Sequence, residues 1–147
     1  MTDNPAAGGV LTLRLENSLS SIEAGRLALI EHFAHARIDA RVINRLEVVF
    51  EELVSNIVRH GGGSADVAIV IEAELRDNEI RLAVEDDGPA FNPFDRPEPA
   101  PYTDLATAQP GGLGIPLVRR LTRFAEYARI GTADRGANRV SLGISAG

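Results

Sequence analysis

The sequence predicts an α+β fold, a two-layer sandwich in which one mixed, mainly antiparallel sheet carries helices on one face. Three observations predict it. Apolar and polar residues alternate in five short runs, apolar residues recur at helical spacing in three longer ones, and the order is strand, helix, helix, strand, strand, loop, helix, strand, strand. At 147 residues the chain is about one domain long and can bury a real core, which should be aliphatic because 44% of residues are hydrophobic but only 5% aromatic.

Residues 1–9 are small and polar and read as a flexible tail ahead of a single domain over 10–147. Leu11, Leu13 and Leu15 alternate with Thr12 and Arg14, the period of a strand buried on one face. Ser18, Ser20 or Ser21 can cap a helix to about Arg37 with Ile22, Leu27, Ile30 and Phe33 among its apolar residues. Asp39 is the expected cap of a second helix, in which Val42, Leu46, Val49, Phe50, Leu53 and Ile57 form an apolar stripe ended by His60 and Gly61-Gly62-Gly63. Ala65 to Leu75 and Glu79 to Val84 read as strands joined by a turn at Arg76-Asp77-Asn78.

From Asp87 to Pro110 the periodicity disappears, and six of the chain's eight prolines lie there. A loop this long in a compact domain is usually functional. Helical spacing returns over Leu113 to Phe124, followed by strand-like runs at Glu126 to Ile130 and Asn138 to Ile144 around a turn at Ala133-Asp134-Arg135-Gly136.

A net charge of -6 argues against a surface that follows a nucleic-acid backbone, because such binding depends on Lys and Arg displacing counterions. A single small nucleotide needs only a few local donors. The absence of Cys excludes disulfides, thiolate metal sites and thiol catalysis. Neither a signal peptide nor an apolar run of membrane-spanning length is present, so a cytoplasmic protein is expected.

Glu51-Glu52-Leu53-Val54-Ser55-Asn56 puts Glu52 and Asn56 four residues apart, on one line along the second helix and beside its apolar stripe. A carboxamide oxygen suits Mg²⁺, and a carboxylate one turn away can accept a proton from a group attacking a phosphate; equally, both can lie on a solvated helix face. Arg59 can reach phosphate or simply complement the helix dipole. Asp86 ends a strand-like run just before Gly88, where a carboxylate can read an exocyclic amine or form an ordinary Asp-Gly turn. Gly111-Gly112-Leu113-Gly114 opens a helix with unobstructed backbone N–H groups, an anion site or a hinge. His32 and His35 have no third ligand at metal-binding spacing, and no G-x-S-x-G elbow is present.

In this order the segments resemble the three nucleotide-binding boxes of the Bergerat-fold (GHKL) ATPases and kinases. The text of Glu52 to Gly61, Asp86 to Pro93 and Gly111 to Arg119 is most similar to the small anti-sigma factor serine-protein kinases of bacterial partner-switching systems. The resemblance covers Leu11 to Ile144. It implies the Bergerat ATP-binding fold, with ATP and Mg²⁺ as ligands, Glu52 as general base and Asn56 as metal ligand. It also implies that Asp86 reads adenine beside Gly88 and Ala90, that Gly111, Gly112, Leu113 and Gly114 wrap phosphate, that Arg59 touches phosphate, and that residues 93–110 form a lid. Ala90 and Asn138 stand where many members have Gly and Thr, and Arg96 is the lid's basic residue.

The resemblance further implies a homodimer that phosphorylates a STAS-type antagonist protein and sequesters a sigma factor or equivalent regulator. The alternative is a nucleotide-gated protein-binding module with little or no kinase activity. A histidine kinase catalytic domain is less favoured, because no dimerisation helices with a phospho-acceptor His accompany the boxes.

Overall fold

The computed structural model describes residues 2–3 by backbone, and residues 9–60, 67–95, 114–132 and 135–147. In chain order the elements are strands Thr2–Asp3 (β1) and Leu11–Glu16 (β2), helices Leu19–Phe33 (α1) and Ala40–His60 (α2), and strands Ala68–Arg76 (β3) and Glu79–Asp86 (β4). A 3-10 turn at Pro93–Asp95, helix Gly114–Leu121 (α3) and strands Phe124–Gly131 (β5) and Gly136–Ser145 (β6) complete them. The strands form one six-stranded sheet in the order β1-β2-β3-β4-β6-β5, and every described pairing is antiparallel.

The local chemistry explains most boundaries. Arg76 pairs with Glu79 across a two-residue turn in which Asp77 and Asn78 have φ of 53° and 60°. Left-handed backbone at both positions matches strand twist, and Asp and Asn tolerate it well. The Asp39 carboxylate accepts the Arg41 N–H at 2.8 Å and so caps α2. At the start of α1, Ser18 is the cap residue by backbone shape but its side chain makes no cap bond; Ser21 Oγ instead donates to Glu16 O and Ser18 O at 2.6 and 2.7 Å.

Several strand ends shift by one or two residues, and three differences from expectation are larger. α1 stops at Phe33, four residues before Arg37, because Ala34 and Ala36 bond three residues back and Arg37 takes φ 53° to turn the chain into α2. α3 stops at Leu121, since the Arg123 N–H bonds Gly143 O at 2.7 Å and the chain has already joined the sheet. Thr2–Asp3, inside the segment expected as a loose tail, pairs with Leu13 and Thr12, satisfying backbone groups that the β2 edge otherwise exposes.

One face of the sheet is apolar. Its rows run across strands, as in Leu13, Ile71, Val84 and Val140, which the registers align. α2 lies on this face and buries Leu46, Val49, Phe50 and Leu53. Each such side chain contributes about 1.5–3 kcal/mol on leaving water. The other face is polar, with Arg139 bridging Glu72 and Glu85 at 3.2 Å each. Among the described residues no helix is long and apolar enough to cross a membrane.

α1 reaches α2 through Gly25, where a Cβ would sit 2.6 Å from Phe50 Cζ and 3.0 Å from Leu15 Cδ1. Phe50 is fully buried and has no room to retreat. Gly25→Ala should therefore destabilise by about 1 kcal/mol, overpacking outweighing the better helix propensity of Ala. Urea unfolding checks this, and Phe50→Leu in the Gly25→Ala background should recover part of the loss; an unfolding midpoint at or above wild type would show that the contact yields freely.

Candidate functional site

The period of two that puts Ile80, Leu82 and Val84 toward the helices also puts Asp86 there, at the end of β4. The same period on β6 carries Ile144, Leu142 and Val140 on to Asn138. Asp86 and Asn138 are register partners, and Arg129 of β5 is the next in the row. The core row thus becomes polar at one end of the sheet.

Above this end lies α2. Asn56 follows Val49 and Leu53 at helical spacing and is 7% exposed, so it belongs to the buried stripe and not beside it. The expectation failed because Asn was counted as polar and therefore outward, whereas here it closes a small pocket. Asn56, Leu53 and Ile57 form one wall, Asp86 and Asn138 the floor, and Phe91 a side. The Asn56 side chain makes no hydrogen bond among the described residues.

The Asp86 carboxylate is asymmetric. Its Oδ2 accepts the Gly88 N–H at 3.0 Å and Asn138 Nδ2–H at 3.1 Å, while Oδ1 accepts no bond among the described residues. Burial pushes its pKa above the ordinary 3.8, the bonds from Asn138 and Gly88 hold it down, the Asp87 charge raises it and the Arg129 charge lowers it. The loop after Asp86 is held from several directions. Asp87 Oδ1 accepts the Ala68 N–H at 2.8 Å, and Arg129 Nη1 donates to Gly88 O at 2.8 Å. Gly88 is buried; Ala90 is exposed and has no positive φ, so Ala in place of Gly introduces no backbone strain there.

Glu52 is half-buried on the flank of α2 one turn from Asn56. Its Oε2 is shielded from solvent and has no hydrogen-bond partner among the described residues. Against it packs Gly114, the first residue of α3, where a Cβ would fall 1.8 Å from Glu52 Oε2. Any larger residue there would push the Glu52 carboxylate out of this position. An orphaned carboxylate oxygen beside a helix start is what a proton-accepting group needs before its donor arrives.

Asn56, Asp86 and Asn138 are therefore gathered at one pocket, Gly88 is tied to it through Asp86 without lining it, and Glu52 and Gly114 stand beside it. Arg59 is exposed and folded back, its Nε donating to Ser55 O at 3.3 Å, and it does not line the pocket. Gly111, Gly112, Leu113 and the part of the expected lid over 96–110 lie outside the described residues. One side chain was not singled out from sequence: Tyr127 donates to Asn138 at 2.6 Å, and the period-two face of β5 could have revealed it. His60, which ends α2, stacks on Phe91 with centroids 5.1 Å apart, and Arg119 lies 4.8 Å over the Phe94 ring; nothing local announces either contact.

A model of the histidine kinase-like ATPase domain matches residues 15–143. The serine/threonine-protein kinase BtrW of Bordetella bronchiseptica is 32% identical over 120 residues, covering 78% of this chain and 83% of that protein. The serine-protein kinase RsbW of Listeria innocua is 28% identical over 116 residues, covering 76% and 74%. The crystal structure of the RsbU and RsbW domains of Rv1364c from Mycobacterium tuberculosis superimposes with a TM-score of 0.66 at 21% identity, over 93% of this chain and 32% of that longer one. That likeness shows a common fold. With residues 15–143 accounted for by one model, including both strands and the helix that build the pocket, the chain belongs to the histidine kinase-like ATPase domain family.

Proposed function

We propose that this protein is an ATP-binding, anti-sigma-factor-type serine protein kinase that phosphorylates an antagonist protein and sequesters a regulator in a partner switch. The observation that carries the reading is the joint placement of Asp86 and Asn56 across one pocket with the unpartnered Glu52 oxygen one helical turn away. The names of the relatives, one a serine/threonine-protein kinase and one a serine-protein kinase, support the same class. On this reading the clients are a sigma factor or equivalent regulator and a STAS-type antagonist, and the chain works as a cytoplasmic homodimer.

Asp86 Oδ1 accepts the exocyclic amine of adenine, and the apolar side chains of Leu53, Ile57 and Val140 cover the ring faces. The space among the pocket residues is about 20 Å³, room for about one water, so the ring enters with an outward shift of the loop carrying Phe91 and Pro93. Asn56 supplies a neutral oxygen of the kind Mg²⁺ takes alongside water and phosphate. Bound there, Mg²⁺ would offset phosphate charge. Glu52 accepts the proton of the antagonist's serine hydroxyl as the serine oxygen bonds to the γ-phosphorus and the bridging oxygen departs with ADP.

Glu52→Ala should keep ATP affinity and lower phosphate transfer to the antagonist by about 10²–10⁴-fold, the usual contribution of a positioned base. If wild type transfers no phosphate with Mg-ATP yet binds its partner in a nucleotide-dependent way, the binding-module reading replaces the kinase. Gly114→Ala forces a methyl into Glu52 and should depress transfer more than ATP affinity, measured side by side.

Asp86→Asn should weaken ATP binding at least about tenfold, by turning an acceptor into a group that can present a donor. Its folded pKa is raised, so the ionised carboxylate subtracts stability above that pKa, and the deficit fades as pH falls through it toward 3.8. Asp86→Asn should thus melt at or above the wild-type temperature at neutral pH, with the difference vanishing on acidification below 3.8. ATP affinity unchanged in this variant would refute the adenine contact.

A further inference from the structure

Asn138 is 5% exposed, and all its hydrogen-bonding capacity is spent. Nδ2 donates to Asp86 Oδ2 at 3.1 Å and to Pro89 O at 2.8 Å; Oδ1 accepts the Phe91 N–H at 3.1 Å and the Tyr127 hydroxyl at 2.6 Å. An amide has two donors and two acceptor lone pairs, so these four bonds leave nothing over for a ligand. The orientation of the amide is not free either. The Phe91 N–H can only donate and Pro89 O can only accept, which fixes oxygen on one side and nitrogen on the other.

A fixed Nδ2 demands an acceptor at Asp86 Oδ2, and so does the Gly88 N–H on the same oxygen. Any proton Asp86 takes up must therefore go to Oδ1. Ionised, Oδ1 accepts from a 6-amino group and repels a 6-oxo group; with both its donors on Oδ2, the carboxylate cannot rotate to blur that distinction without breaking two buried bonds. From these four bonds we infer that Asn138, its amide held by Tyr127 and the Phe91 backbone, is a positioning residue that makes Asp86 selective for a 6-amino over a 6-oxo purine. The inference rests on the reading of Asp86 as the base-contacting group.

ATP and inosine triphosphate share sugar and phosphates and differ at the base, so the ratio of their dissociation constants isolates this effect. Wild type should prefer ATP by about tenfold or more, as sites built to hydrogen-bond a substrate group do. Asn138→Ala should lower that ratio at least about fivefold, chiefly through weaker ATP binding, and Tyr127→Phe should lower it in the same direction by about two- to threefold. Equal losses for both nucleotides, or a wild-type ratio in Asn138→Ala, would mean a merely structural role and overturn the inference. If Asn138→Ala does not fold, Tyr127→Phe decides, and an unchanged ratio there overturns it. Asp86→Asn separates the two levels: a wild-type ratio in that variant removes the base contact itself, whereas a lost ratio in Asp86→Asn with a retained one in Asn138→Ala removes only the role of Asn138.

Discussion

The burial of one stripe of α2 on the sheet is the contact from which the rest of the molecule takes its positions. Val49, Phe50 and Leu53 are essentially dry against the β4 and β6 face, and this seating also determines where Glu52 and Asn56 stand. A helix fixed by its apolar side chains has no rotational freedom left for its polar ones. Core and pocket are thus one surface, apolar along most of its rows and polar at one end, where Asp86 and Asn138 continue the lines of Val84 and Val140.

Polar groups in such a place are tolerable only if paired, and the pairing here is uneven in a useful way. Asn138 is saturated, Gly88 and Asp87 are tied to Asp86 and β3, and Arg129 holds the Gly88 carbonyl. Asp86 Oδ1 and the Asn56 amide make no hydrogen bond among the described residues, and Glu52 Oε2 is buried without one. They face the pocket or flank it. Stability is given up where ligand contacts can replace the missing bonds, the usual signature of a functional site.

Much of this was legible in the sequence. The strand and helix order, the hairpin at Asp77-Asn78 and the Asp39 cap come from periodicity and turn chemistry that act locally, whereas the grouping of Asn56 with Asp86 was implied by the family resemblance. What was not legible depends on partners distant in sequence. α1 and α3 end early because the next element captures the chain, and the inward place of Asn56 was missed because a polar residue in the apolar stripe makes sense only with the polar end of the sheet opposite it. The clamp of Arg119 on Phe94 and the stack of His60 on Phe91 join positions that no spacing rule connects. Asn138 was visible as a residue but not as a hub, since nothing in one strand reveals four bonds made to three other segments.

The bond from Asn138 to Asp86 spans 52 residues. The β3–β4 hairpin closes a two-residue turn, but β4 and β6 meet only after the chain has travelled through the loop, α3 and β5. Closure entropy rises by about 0.6 kcal/mol for each doubling of loop length, so this pairing is among the costlier steps in assembling the sheet. The carboxylate at the end of β4 therefore gains its orientation only when β6 has docked. A chain with its hairpin formed but its last strand still searching has the acid without the aim, and occupancy of the pocket would report completion of the fold as well as the presence of a ligand.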